Sequence, residues 1–372
     1  MGIKIVPYCS NHEPAVDAFN ERLRGAGVEF QFFSRASSEW LPADEGLPVH
    51  RIYRLAIDDE EVVRGGYALR RQQFWINGTR QWVGNYQLPL SEGIYDAKFR
   101  TLGMRLLRSA LRESPLLYSL GMGGITQPLP KLLGASGFAL ALVPFFFRVL
   151  NAGRFLREMQ LLQTPSWRRW GARISARTGV GAGGIHLAHR LRDRSHRNSR
   201  YRVEIVPEFG DWIDEVWESV GKEGLLVGDR RMEAMRQVFP ASREANLKVR
   251  LEYSGRPVGF VVLRCTPLSG DHYFGNLRLG SIVDGWASKE HIVQLVRLAT
   301  DLLKEQSADL IISNQSLASW QFGLQRCGYL SFRSNFGLGV SPKLSALLPG
   351  GLPANLEACH FNRADGDGPI HI

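Results

Sequence analysis

Apolar and polar positions alternate along this chain in a way that predicts strands and helices by turns. Residues 3–8 read as a strand. Residues 14–23 read as a helix, because Val16, Phe19, Asn20 and Leu23 share one face and Pro14 suits a first turn. Residues 51–57 and 62–76 form a predicted hairpin around the acidic turn Asp58-Asp59-Glu60, and residues 82–90 a further strand containing Pro89. Phe99, Leu102, Leu106, Leu107 and Leu111 mark the apolar face of a helix expected over 96–113. A strand at 116–120, a helix at Pro128–Ala135 ending in Gly137, and an apolar strand region at 138–150 complete the first half.

The second half repeats the scheme. Strands are expected at 202–206, 248–253, 258–264, 277–283 and 310–313, with a closing strand pair at 330–340. Helices are expected at Trp212–Val220, 230–238, 290–303 and 317–326. The element order read from both halves is β-α-α-β-β-β-α-β-α-β. Four landmarks recur at an offset of 191 to 200 residues: Ile5-Val6-Pro7 as Ile205-Val206-Pro207, Gly66-Tyr67 as Gly259-Phe260, Val83-Gly84-Asn85 as Phe274-Gly275-Asn276, and Gly137-Phe138 as Gly328-Tyr329. A period this long is a duplicated domain and not a solenoid repeat. The fold class expected is α/β (α+β): two tandem domains, each a mixed, mostly antiparallel sheet flanked by helices. The boundaries expected are 1–155, a basic connector 156–200, 201–345, and a loosely packed tail 346–372.

Composition changes this picture only locally. At 372 residues, with 44% hydrophobic and 22% charged residues, each half can bury a core. The net charge of +10 is concentrated between Trp167 and Arg202, where ten arginines accompany one acid, Asp193. The basic character therefore belongs to a segment, which reads as a charged linker or as a peripheral contact with anionic surfaces running from Arg168 to Arg202. Two tryptophans there, Trp167 and Trp170, are too few for a nucleic-acid platform, so no specific nucleic acid is expected. Gly179–Gly184 satisfies G-x-G-x-x-G, but no strand precedes it, and His186, His189 and His196 stand among arginines, a poor field for a metal. Cys9, Cys265, Cys327 and Cys359 have no paired spacing and fit a reducing, cytoplasmic setting without metal. Residues 132–147 carry no charge, but they are too short for a transmembrane span and contain Pro144.

The element order resembles the GNAT superfamily of acyl-CoA N-acyltransferases, over roughly residues 3–150 and 201–341. In that family a central strand feeds a short loop into a helix, and backbone amides there hold the CoA diphosphate, in a pattern Arg-Gly-x-Gly-x-Gly/Ala. The matching stretch is Glu92-Gly93-Ile94-Tyr95-Asp96-Ala97, where Gly93 and Ala97 fit, Glu92 replaces the arginine and Tyr95 the middle glycine. The duplicate stretch is Asp284-Gly285-Trp286-Ala287-Ser288-Lys289. Both also read as a helix start with acids near its positive end. The resemblance implies acetyl-CoA or another acyl-CoA as donor, held by Leu88, Leu90, Gly93, Ile94, Tyr95, Asp96 and Ala97. It implies a small-molecule or envelope-precursor amine as acceptor. Acid–base candidates near strand ends are Glu92, Tyr118 and Asp284, with Tyr95 beside them. The first half is the better donor site. The alternatives are a non-catalytic binding or scaffold protein with decayed CoA loops, and a transferase using a bulkier acyl or aminoacyl donor.

Overall fold

A computed structural model describes residues 2–36, 41–124, 126–158, 200–220, 224–243, 245–271 and 273–366. The connector's arginines, glycines and histidines at 168–199 lie outside the described residues. The rest forms two compact units.

Unit 1 contains the described residues of 1–143, 221–240 and 334–367. Its sheet runs β1 (Ile3–Pro7), β2 (Val49–Asp58), β3 (Val63–Ile76), β4 (Thr79–Ser91), β5 (Leu117–Leu120), β15 (Gly337–Val340) and β6 (Ala139–Leu142). Only β4 and β5 are parallel neighbours on that path. Helix α1 (Glu13–Gly25) packs Val16, Phe19 and Leu23 on one face, with Tyr53, Leu55, Ala68 and Leu90 beneath. Helix α2 (Leu102–Glu113) packs Leu102, Leu106 and Leu107 on the other, over Tyr67, Leu69, Tyr86 and Leu117. Period-2 side-chain alternation within the strands and helical periodicity in α1 and α2 thus give two oppositely facing cores.

Unit 2 contains the described residues of 144–220 and 241–333. Its sheet runs β14 (Leu330–Phe332), β7 (Phe145–Val149), β13 (Leu310–Asn314), β12 (Arg278–Ala287), β11 (Arg256–Pro267), β10 (Asn246–Tyr253) and β8 (Tyr201–Val206). Again the central strand has one parallel neighbour, β13. The duplicated design is clearest at the glycines after helix α3 (Pro128–Ala135) and after the helix Ala318–Arg326. Gly137 and Gly328 both have left-handed φ, +82° and +79°. Phe138 and Tyr329 then each donate back to a helical leucine at 3.0 Å.

Several expectations need correction. The units do not follow chain order. The apolar run 138–150 is two strands in different sheets, β6 in unit 1 and β7 in unit 2, and the closing pair 330–340 divides the same way into β14 and β15. The boundaries at 155 and 201 therefore do not coincide with the compact units. Among the described residues one helix, not two, separates β1 from β2, whereas the second half has two helices with β9 (Leu226–Gly228) between them. The tail is not loose as far as it is described: Cys359, Phe361 and Asn362 are fully buried in unit 1, and β16 (Cys359–His360) pairs with β9. Its turns and short 3-10 segments have no period for a sequence reading to find. Lastly, Gly275 lies in a loop with φ +60°, so the Val83-Gly84-Asn85 landmark has no counterpart on β12.

Candidate functional site

The chemistry expected after β4 depends on how that strand ends. Ala68 pairs with Gln87 and Gly66 with Leu90, so Leu88 and Pro89 together oppose one residue of β3. This is a β-bulge. Leu88 takes φ +46°, and Pro89, which lacks an N–H, is well suited to an interrupted ladder. On its other side β4 pairs with β5 only at Gly84–Leu117 and Asn85–Tyr118. Among the described residues the two parallel strands then part, forming a fork at the carboxyl ends of central strands, a common place for ligands.

Sequence reasoning placed the diphosphate loop at residues 92–97, directly at a helix start. The helix instead begins at Leu102. Between strand and helix lie two 3-10 turns, Glu92–Ile94 and Ala97–Phe99. Asp96 caps the second turn by accepting from the Lys98 amide at 2.8 Å. The amides of Tyr95, Asp96, Phe99 and Arg100 are likewise bonded within the turns. Gly93 is required by a close approach: a Cβ there would lie 2.5 Å from the Phe99 carbonyl oxygen. A bulky residue at Gly93 would therefore test the turn, not a ligand. Ile94 and Tyr95 are exposed, and Ala97 is exposed beside them. Leu90 faces α1, in the opposite core from α2.

The acid–base candidates are largely occupied. Glu92 is 2% exposed. It accepts from Arg22 Nε at 2.7 Å and Arg64 Nη1 at 3.0 Å, while Arg64 also holds Asp58 at 2.7 Å. A carboxylate with one oxygen on each of two guanidiniums braces the elements that carry them. Burial and the adjacent Glu92 raise the pKa of Tyr95. Tyr118 is buried, and burial pushes its phenol up to about 12. It donates to the Asp365 carbonyl oxygen at 2.9 Å. Asp284 lies within β12 in unit 2, not in a loop, and its Oδ1 accepts from the Gly285 amide at 2.8 Å.

Around the unit 1 fork the structure sets the candidate Tyr118 beside Arg70 and Asn85, to which sequence reasoning gave no site role. Arg70, Asn85 and Tyr118 stand in a row across β3, β4 and β5. All three donate to the carbonyl oxygen of Asp365. Asp365 also holds the buried Arg230 at 2.8 Å. Nothing in sequence spacing could pair residue 365 with residue 85. At the other end of the fork, α2 opens without a side-chain cap from Thr101. The first turn of an α-helix leaves its N–H groups without intrahelical partners. Leu102, Gly103 and Met104 supply them here, next to the exposed Lys98 and Arg100. A Cβ on Gly103 would meet only Leu132 Cδ2, at 3.5 Å. An anionic group would therefore meet more unbonded amides at Leu102 to Met104 than at residues 92–97.

In unit 2 β12 is likewise bulged, at Val283, and last pairs with β13 at Ile282–Ser313, but Trp320 lies over the strand beyond that pair. β12 runs straight into the helix Lys289–Glu305. A Cβ on Gly285 would lie 2.6 Å from the Trp320 indole, and Trp286 and Trp320 are each 1% exposed.

No family model and no curated protein sequence matches the chain. Solved structures do match. A probable N-acyltransferase from Enterococcus faecalis V583 aligns with TM-score 0.53 at 11% identity, over 94% of this chain and 75% of that one. N-myristoyltransferase of Saccharomyces cerevisiae with bound myristoyl-CoA aligns with TM-score 0.51 at 12% identity, over 91% and 82%. A GCN5-related N-acetyltransferase from Anabaena variabilis ATCC 29413 aligns with TM-score 0.51 at 11% identity, over 91% and 72%. The chain has the GNAT fold, built twice in tandem.

Proposed function

We propose that the protein is an N-acyltransferase that takes its acyl group from an acyl-CoA bound in unit 1 and gives it to an amine. The observation that carries this reading is the contrast between the forks. In unit 1 a bulged β4 parts from β5 and leads, through a loop, to an uncapped helix start. In unit 2 the same place is closed by Trp320 against Gly285.

The α2 amides of Leu102, Gly103 and Met104 would hold the diphosphate, supported by the helix dipole and by Lys98 and Arg100. The donor supplies an acyl carbonyl activated as a thioester. The amine attacks it, and a thiolate leaves that must be protonated. The diphosphate end lies on the α2 face, so the amine approaches from the opposite face. There Asn85 and Tyr118 stand fixed by the Asp365 carbonyl. With its high pKa Tyr118 stays protonated at neutral pH, so it can donate a hydrogen bond but not act as base.

A second reading, a protein that binds acyl-CoA without transferring the acyl group, is favoured by one observation: Glu92 is committed to Arg22 and Arg64. Thermal unfolding in the presence of CoA, acetyl-CoA and longer acyl-CoAs tests the binding step. Ligand at a hundred times its Kd stabilises by about 2.7 kcal/mol. Release of free CoA in the presence of amines separates transferase from binder. No shift with any acyl-CoA would rule out both readings.

A further inference from the structure

The fork in unit 1 begins at one residue. β4 and β5 last pair at Asn85–Tyr118, and Tyr86 is the next residue on β4. Its main-chain carbonyl points to where a ladder donor would stand, and a buried carbonyl without a donor is costly. The missing donor is replaced by a side chain. Ser119, the next residue of β5, donates its hydroxyl to Tyr86 O at 2.9 Å. Ser119 is 2% exposed, so solvent does not compete strongly for this bond. The Tyr86 phenol, also buried, has no hydrogen-bond partner and lies in the cluster under α2. One residue at the head of the fork thus has one polar group held by a stand-in and another with no partner.

The duplicate in unit 2 supplies a comparison. Ser313 is also fully buried and approaches Ile282 O, but at 3.4 Å. Ile282 and Ser313 are themselves a ladder pair, so no opening lies beneath that serine. Among the described residues a serine stands one position past the last parallel ladder pair in unit 1, whereas Ser313 belongs to that last pair in unit 2.

We propose that Ser119 is a placeholder for the acyl donor. Its hydroxyl occupies the Tyr86 carbonyl in the free protein and yields it to an amide N–H of the donor's arm. This rests on the reading of unit 1 as the acyl-CoA site and deepens it by naming a positioning residue. The arm of CoA carries secondary amides. An extended amide chain entering between diverging strands pairs with their main-chain groups as an added strand does. The first main-chain acceptor past the last ladder pair, at the closed end of the fork, is Tyr86 O.

The test is isothermal titration of CoA and acetyl-CoA into the full chain and into Ser119→Ala and Ser313→Ala, with thermal unfolding of each. Ser119→Ala is expected to melt lower, since Tyr86 O loses its partner in the free protein. It is also expected to bind donor about 3- to 10-fold tighter, since no hydroxyl has to be displaced. Ser313→Ala is expected to leave the Kd unchanged. A lower melting temperature with an unchanged or weaker Kd in Ser119→Ala would overturn the proposal and leave the serine a strand brace. Equal tightening in both variants would overturn it as well. Absence of binding by the unsubstituted protein is a different failure, because it removes the donor site itself.

Discussion

Glu92→Gln separates a structural carboxylate from a catalytic one. Glu92 is buried, and its two oxygens take one guanidinium each, Arg22 at 2.7 Å and Arg64 at 3.0 Å. Hydrogen bonds to charged groups contribute about 1.5–3 kcal/mol apiece. Both gains must be discounted here. The Arg22 side chain is 34% exposed and can recover water, and Arg64 keeps Asp58. Glutamine keeps one acceptor oxygen and most of the volume, so about 2–3 kcal/mol of lost stability is expected. Thermal unfolding of both proteins at neutral pH reads this directly, and titration with acetyl-CoA reads the site. Glu92→Gln should melt several degrees lower, while donor affinity and the pH profile of any transfer activity stay as in the parent. Unchanged stability together with loss of turnover and of its pH dependence would show that Glu92 is the base after all.

Three further outcomes follow from buried groups. Burial, with Arg230 nearby, holds the imidazole pKa of His360 well below its ordinary value, so His360 is neutral when folded and takes up a proton on unfolding. Its stabilising contribution is present above about pH 6.5 and is lost as pH falls from there toward the folded value, at up to about 1.4 kcal/mol per unit. His360→Gln should flatten that part of the stability–pH curve, and an unchanged slope would exclude His360 as its source. Gly285→Ala should cost about 1–3 kcal/mol by driving a methyl group into Trp320, 2.6 Å away, and should leave donor affinity intact. Loss of binding in that variant would mean that unit 2 takes part in the donor site. Tyr86→Phe removes a buried hydroxyl without a partner, so the melting temperature should rise or hold, by the equivalent of about 1 kcal/mol. A clear fall would show that the phenol is satisfied in solution.

What the sequence reveals here is mostly local. Helical spacing of Leu102, Leu106 and Leu107 locates α2, and Gly137-Phe138 and Gly328-Tyr329 mark the same helix end twice. The helix expected from residue 96 begins at Leu102, because Asp96 caps a 3-10 turn ahead of it. Gly93 fits the glycine pattern in sequence, but what requires a glycine there is the close approach of the Phe99 carbonyl. The division of 138–150 into strands of two sheets leaves no mark in periodicity, since both pieces are apolar and extended. The row Arg70, Asn85, Tyr118 is held by Asp365, a pairing across nearly the whole chain that only tertiary packing creates. Arg70 and Asn85 look like ordinary polar strand residues in sequence, while Tyr118 stands out there only by its place near a strand end.

The central claim is one donor site per chain, at the start of α2 in unit 1. It is tested most directly by the stoichiometry of acyl-CoA binding in the parent and in Gly103→Glu. Acetyl-CoA, octanoyl-CoA and myristoyl-CoA are titrated calorimetrically into each. The glutamate sets a negative charge among the open amides of Leu102, Gly103 and Met104, where the diphosphate is expected. The account predicts one site per chain for at least one donor in the parent, and at least tenfold weaker binding in Gly103→Glu with the melting temperature of the free protein nearly unchanged. Two equivalent sites per chain, or full affinity in Gly103→Glu, would contradict it.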